Sequence, residues 1–224
     1  MSAVAESNEN NNLAGPSNQN IGTTDIFQLL DPARRWFAAD IPVRYRFVSG
    51  NSQPGLTQAD ARAAVSNGFM HWQDVANSTI AFTQISDASS SSGGFNYNDG
   101  YNTVTFNDPR GELDSGALAA TLPVYTSSQS IQVNGVTFYR MTDSDMVVNN
   151  GVTFGTHAQA GASNCWTYQY FDLEGVMTHE QGHFIGLDHV DIQDATMYYA
   201  IGPCDPSKTT LEQSDINGAV FIYP

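Results

Sequence analysis

Residues 177 to 190 read MTHEQGHFIGLDHV, placing three of the chain's five histidines and a glutamate within eleven positions. On a helix, positions four apart lie one above the other on the same face, so His179 and His183 can touch one ion. Glu180 stands beside them, within reach of a water at that ion but outside the ligand set, which is where a general base belongs. Gly186 ends the helix, because a residue without Cβ can take the left-handed conformation that turns the chain away. The turn delivers His189 as a third ligand. Three imidazoles with an open fourth position describe a catalytic zinc site, since structural zinc sites are closed by four protein ligands, often thiolates.

The full pattern H-E-x-x-H-x-x-G-x-x-H arises by chance in a chain of this composition on the order of once in a hundred thousand. It resembles the metzincins, whose second mark is a methionine-containing turn beneath the zinc. The segment DATMYYA supplies one, with Met197 eight residues after His189. Within that group the chain resembles the matrixins, the matrix-metalloproteinase-like branch. DLEGVMTHEQGHFIGLDH, TLEQSDINGAVFIYP and SGALAATLP read like matrixin segments in matrixin order, as does IPVRYRFV followed by a helix ending in FMHWQDVANSTIAFTQI.

The resemblance implies an α+β domain: a twisted, mostly parallel sheet with one antiparallel edge strand, three main helices and a substrate cleft across the zinc. It implies a zinc endopeptidase acting on extended polypeptides. Leu118 and Ala119 fall on the edge strand that pairs with substrate, a sensible device because main-chain hydrogen bonds hold any sequence in extended form. Tyr198 begins the wall of the primed-side pocket, which runs to about Lys208, and Asp215 matches the acid that supports the methionine turn.

Several positions depart from the matrixin pattern. Ala120 stands where animal matrixins place a histidine for a second, structural zinc. Only His71 and His157 lie outside the motif, so one zinc per chain is expected. Val190 replaces the usual serine after the third histidine. Tyr199 replaces a proline and gives the Met-x-Tyr spacing of astacins and serralysins. That leaves two readings for Tyr199, assistance to the developing oxyanion or a plain pocket wall.

The rest of the chain fits one domain. Its 224 residues, 41% hydrophobic, suffice for one sizeable core. LTQADARAAVSNGFMHWQDVA predicts a helix with Thr57 and Asp60 as a capping pair and Ala61, Val65, Phe69 and Trp72 on one face. His71 reads as a packed or surface residue. Residues 79 to 86, TVTF and GALAATLPVY predict strands, IQVNGVTFYR a hairpin about Asn134-Gly135, and DMVVN a further short strand. A last helix is predicted from near Thr209, capped by Thr209 and Glu212, with Ile216, Val220 and Tyr223 inward. Residues 1–34 are expected to form a flexible tail or short pro-segment and 35–224 the catalytic domain.

A formal net charge of −15 with only eight basic residues makes nucleic acid and anionic membranes poor partners. It suits calcium, though no site is assigned. No apolar run has the length of a membrane helix, and MSAVAESNENNN lacks the basic and apolar regions of a signal peptide. A secreted, extracellular monomer is expected, with no leader in this sequence. Cys165 and Cys204 flank the active-site segment, and a disulfide between them is expected because the family is exported. In some bacterial relatives an aspartate near the amino terminus blocks the zinc. Asp25 or Asp31 could serve that purpose, against the alternative of an inert linker. The competing reading of the whole chain is a catalytically silent or latent secreted zinc-binding module.

Overall fold

The computed structural model describes residues 4–5, 26–114 and 116–224. Three two-residue strands come first: β1 (Val4–Ala5), β2 (Gln28–Leu29) and β3 (Arg34–Arg35). Strand β4 (Val43–Phe47), helix α1 (Gln58–Gln73), and strands β5 (Phe82–Gln84), β6 (Asn102–Thr105), β7 (Ala119–Val133) and β8 (Val136–Val148) follow. The second half contains β9 (Phe154–Gly155), the one-turn helices α2 (His157–Ala160) and α3 (Cys165–Tyr168), and β10 (Phe171–Asp172). It closes with α4 (Leu173–Ile185), β11 (Leu187–Asp188), β12 (Ala200–Ile201) and α5 (Gln213–Ile222).

The main sheet runs β5-β4-β6-β8-β7, parallel throughout except for β7, which lies antiparallel to β8 at the edge, while β3 pairs in parallel with β8. This is the expected mixed sheet with three main helices, α1, α4 and α5, plus two short turns of helix. One difference concerns the edge. The segments expected as separate short strands merge into one long ribbon, with Asn134 and Gly135 (φ 49° and 83°) forming the turn. The polar run TSSQS continues β7 through a bulge, Thr126 pairing with Arg140 and Ser130 with Tyr139, and the outer part of β7 is exposed while Phe138 and Met141 of β8 stay in the core.

Helix α1 starts as its sequence predicts, the Thr57 side chain accepting from Asp60 N at 3.1 Å. Its buried stripe, Ala61, Val65, Phe69 and Trp72, packs on α4. Trp72 Nε1 donates to Thr178 O (2.8 Å) and Gln181 Nε2 to Val65 O (2.8 Å), so the two helices are pinned as well as packed. Rings from β4, α1 and α4 interlock, with Tyr45 and Phe69 centroids 4.3 Å apart and Phe69 and Phe184 5.3 Å apart.

The last helix begins later than expected. Residues 207–209 form a 3₁₀ turn and α5 starts at Gln213, with Glu212 and Asp215 as the capping box in place of Thr209 and Glu212. The buried residues of α5 include Asp215, Ala219 and Ile222; Tyr223 is buried as expected, and Ile216 and Val220 are half-buried against the core. Residues 27–34, assigned to the tail by sequence, also belong to the body: Phe27, Leu29 and Leu30 are core residues and β2 pairs with β11. Three apolar residues in a short segment gave too little periodicity to claim a place in the core.

Candidate metal centre

Helix α4 carries the site and is held at both ends. Asp172 caps its start by accepting from Glu174 N (3.1 Å), and Gly186 (φ 109°) ends it. The last carbonyls, which a helix leaves without internal partners, are taken by distant side chains: Trp36 Nε1 donates to Phe184 O and Tyr223 Oη to Ile185 O, both at 2.9 Å. The two histidines outside the motif also serve the helix. His71 Nε2 lies 2.9 Å from Glu174 Oε1, and His157 Nδ1 donates to Asp172 Oδ2 at 2.7 Å. Burial pushes the Asp172 carboxyl up, opposed by His157. For Glu174 burial is outweighed by hydrogen bonds from His71 and Asn67, which hold its carboxyl low.

His179, His183 and His189 are, among the described residues, the one group of potential ligands placed to hold a metal. His189 Nε2 lies 3.0 Å from His179 Nε2 and 3.2 Å from His183 Nε2. His179 Nδ1 donates to Thr196 O (2.7 Å) and His183 Nδ1 to Leu187 O (2.9 Å), which leaves the Nε2 lone pairs facing one another. Lone pairs at that separation repel unless a cation lies between them. Zinc with tetrahedral nitrogen ligands at its usual bond length separates them by about 3.3 Å, so the donor set fits it.

Glu180 is fully buried, and Thr121 Oγ1 on the edge strand donates to its Oε2 at 2.6 Å. Thr121 was missed in the sequence because the two residues stand 59 positions apart and a threonine in a strand carries no signal of its own. Met197 is buried below α4, and a Cβ at Gly182 would overlap its sulfur, so Gly182 is what lets the turn sit this close. Asp215 holds the turn, accepting from Thr196 N (2.8 Å), Met197 N (3.1 Å) and Glu212 N (2.8 Å). Burial raises its pKa, against those three bonds.

A small cavity opens beside His179 between α4 and residues 196–208, and Tyr198 and Tyr199 both line it. Tyr199 is 41% exposed and its hydroxyl accepts from that of Tyr198 at 3.1 Å. Leu118 and Ala119 bury their side chains where β7 begins, and β7 pairs with β8 alone among the described strands. Asp31 is exposed and its carbonyl accepts from Arg34 Nη2 (3.0 Å), while Asp25 lies outside the described residues. Strand β1 pairs antiparallel with β12, whose Ala200 and Ile201 line the cavity beside His179, Val4 opposite Ile201 and Ala5 opposite Ala200. Cys165 and Cys204 are joined by a disulfide with Cα atoms 5.7 Å apart.

A family model described as Matrixin matches residues 35–224. Matrix metalloproteinase-18 of Xenopus laevis is 27% identical over 204 residues, covering 90% of this chain and 36% of that protein. Metalloendoproteinase 4-MMP of Arabidopsis thaliana is 26% identical over 197 residues, 86% of this chain and 49% of the relative. Over a shorter stretch, matrix metalloproteinase-27 of Homo sapiens is 45% identical over 53 residues, 24% of this chain and 10% of that protein. The chain thus spans between about a third and a half of the length of the first two relatives.

Proposed function

The chain belongs to the matrixin family, and on that premise we propose that it is a zinc-dependent endopeptidase that hydrolyses extended polypeptides. The observation that carries this reading is the convergence of three histidine Nε2 atoms beside a buried glutamate on the same helix. A metal site serving stability alone needs no base at that position. When bound, zinc supplies Lewis acidity to the scissile carbonyl and lowers the pKa of water. Glu180 takes the proton from the attacking water and passes it to the leaving amine. Thr121 holds one oxygen of that carboxylate and thereby aims the other. The open edge of β7 near Leu118 and Ala119 pairs with the substrate backbone, and Tyr199 serves as pocket wall. A Tyr199→Phe enzyme with lowered turnover would instead assign that hydroxyl to the oxyanion.

The disulfide supports an oxidising, extracellular setting. Among the described residues no helix is long and apolar enough to cross a membrane. The calcium reading rests on the acid surplus alone, and no position is proposed for it. A second reading, latency through the amino-terminal segment, is favoured by the pairing of β1 with β12, two residues of which line the cavity beside His179. Casein cleavage tests both. Activity that is abolished by chelation and restored by zinc supports the peptidase. Activity that rises when residues 1–25 are removed supports latency. A deletion reaching residue 34 is unsuitable because it removes core residues.

A further inference from the structure

Which main-chain groups β7 turns towards a substrate follows from its register with β8. Asn149 N donates to Leu118 O (3.0 Å), while Val148 O accepts from Asp108 N (3.0 Å) in the loop after β6. Ala119 lies opposite Val148, so its own N–H and C=O turn away from β8, and in an antiparallel ladder that orientation recurs at every second residue. The pairing runs unbroken from Ala119 opposite Val148 to Val124 opposite Asp143, with the first register shift only after Val124. Residues 119, 121 and 123 therefore share the outward orientation. The third of them is a proline.

Pro123 has no N–H to give, and its carbonyl accepts from Arg34 Nη1 at 2.9 Å. Arg34 is 7% exposed and is itself fixed: Nε donates to Pro32 O and Nη2 to Asp31 O, both at 3.0 Å, and the guanidinium lies 4.5 Å from the centroid of the Tyr125 ring. A backbone arriving opposite Pro123 finds no donor for its carbonyl, and its N–H meets a guanidinium already in place. The missing donor faces outward, so the proline costs the β7–β8 ladder nothing.

The cavity walled by Tyr198, which the peptidase reading puts on the primed side, lies against Gly175 and Val176 in the first turn of α4. A Cβ at Gly186, just past the end of that helix, would meet Arg34 O. Arg34 and Pro123 thus stand towards the non-primed side. Thr121, which holds Glu180, is one ladder step away.

We propose that Pro123 and Arg34 end the substrate-binding edge of β7 on the non-primed side, so that main-chain recognition upstream of the scissile bond stops before the substrate residue opposite Pro123. The assignment rests on the endopeptidase reading, since the scissile bond defines which way the substrate runs.

Binding can be measured apart from turnover in the zinc-loaded Glu180→Ala protein. Peptides sharing one core and extended upstream by one alanine at a time are titrated by calorimetry. Affinity should rise over the first additions and then stay level. In a background that also carries Pro123→Ala, which restores the donor, the plateau should come about two residues later, one ladder step, with a gain of about 3- to 10-fold, the worth of one hydrogen bond. Affinity that keeps climbing with length on the unaltered edge, or a plateau that Pro123→Ala leaves in place, overturns the proposal. Should that variant lose its fold by circular dichroism, N-methylated peptides decide on the unaltered edge: a methyl on an amide beyond the plateau should leave affinity unchanged, and a loss there overturns the proposal. Casein cleavage by the wild type without a plateau would sink the edge assignment and leave the peptidase standing. A plateau that Pro123→Ala extends, with no casein cleavage, would do the reverse.

Discussion

Replacing Asp215 with asparagine tests how the methionine turn is coupled to the metal. Asp215 is buried and accepts three backbone N–H groups, two on Oδ2 from Thr196 and Glu212 and one on Oδ1 from Met197. The Thr196 peptide that it grips presents its carbonyl to His179 Nδ1 at 2.7 Å, so the carboxylate orients a metal ligand through one peptide unit. An asparagine oxygen at the Oδ2 position keeps two bonds, while its amide group faces the Met197 N–H. One charge-assisted bond lost and one donor left facing a donor cost about 2–3 kcal/mol. Loosening a partner of a ligating histidine lowers metal affinity about 10- to 100-fold. Urea unfolding of the metal-free protein reads the first number, and competition for zinc with a chromophoric chelator reads the second. Stability lost by that amount with zinc affinity unchanged would refute the coupling and reduce Asp215 to a helix cap.

Thr121→Val removes the hydroxyl that holds Glu180 Oε2. Its kcat on a quenched peptide should fall about tenfold with zinc affinity unchanged, and unaltered kcat would contradict the positioning role. The Cys165–Cys204 bond spans 39 positions, a loop whose closure contributes about 4 kcal/mol by chain entropy. The double serine variant should melt about 10 °C lower, and an unchanged melt would show the loop is ordered without the bond. Burial pushes Asp143 up to about 6 and Asp145 up to about 7, even though backbone N–H groups of residues 96–103 hydrogen-bond to both. Folded pKa values above the unfolded ones mean that the stability they contribute is full below about pH 4 and lost as pH rises through 6 to 7. The melting temperature of the metal-free protein should therefore be higher at pH 5 than at pH 8, and the opposite order would contradict that sign.

Local chemistry was legible in the sequence and remote chemistry was not. The helix bearing His179 and His183, its stop at Gly186, the cap at Thr57 and the turn at Asn134-Gly135 each depend on residues a few positions apart, and each stands where its residues predict. The extent of β7 escaped because its outer half is polar and exposed and so carries no alternation. The start of α5 was misjudged because Thr209 and Glu212 mimic the capping pattern that Glu212 and Asp215 fulfil. Thr121 beside Glu180, Thr196 beneath His179 and Lys208 in the cavity are contacts across 59, 17 and 13 positions or more, set by packing that no window of sequence contains.

The most direct test of the central claim is casein turnover by Glu180→Ala against the wild type at matched zinc occupancy, with bound metal quantified in both. One zinc per chain in each protein and a loss of turnover of at least about 100-fold in the variant is the predicted result. Wild-type turnover in the zinc-loaded variant would contradict Glu180 as the base and with it the chemistry assigned to the site.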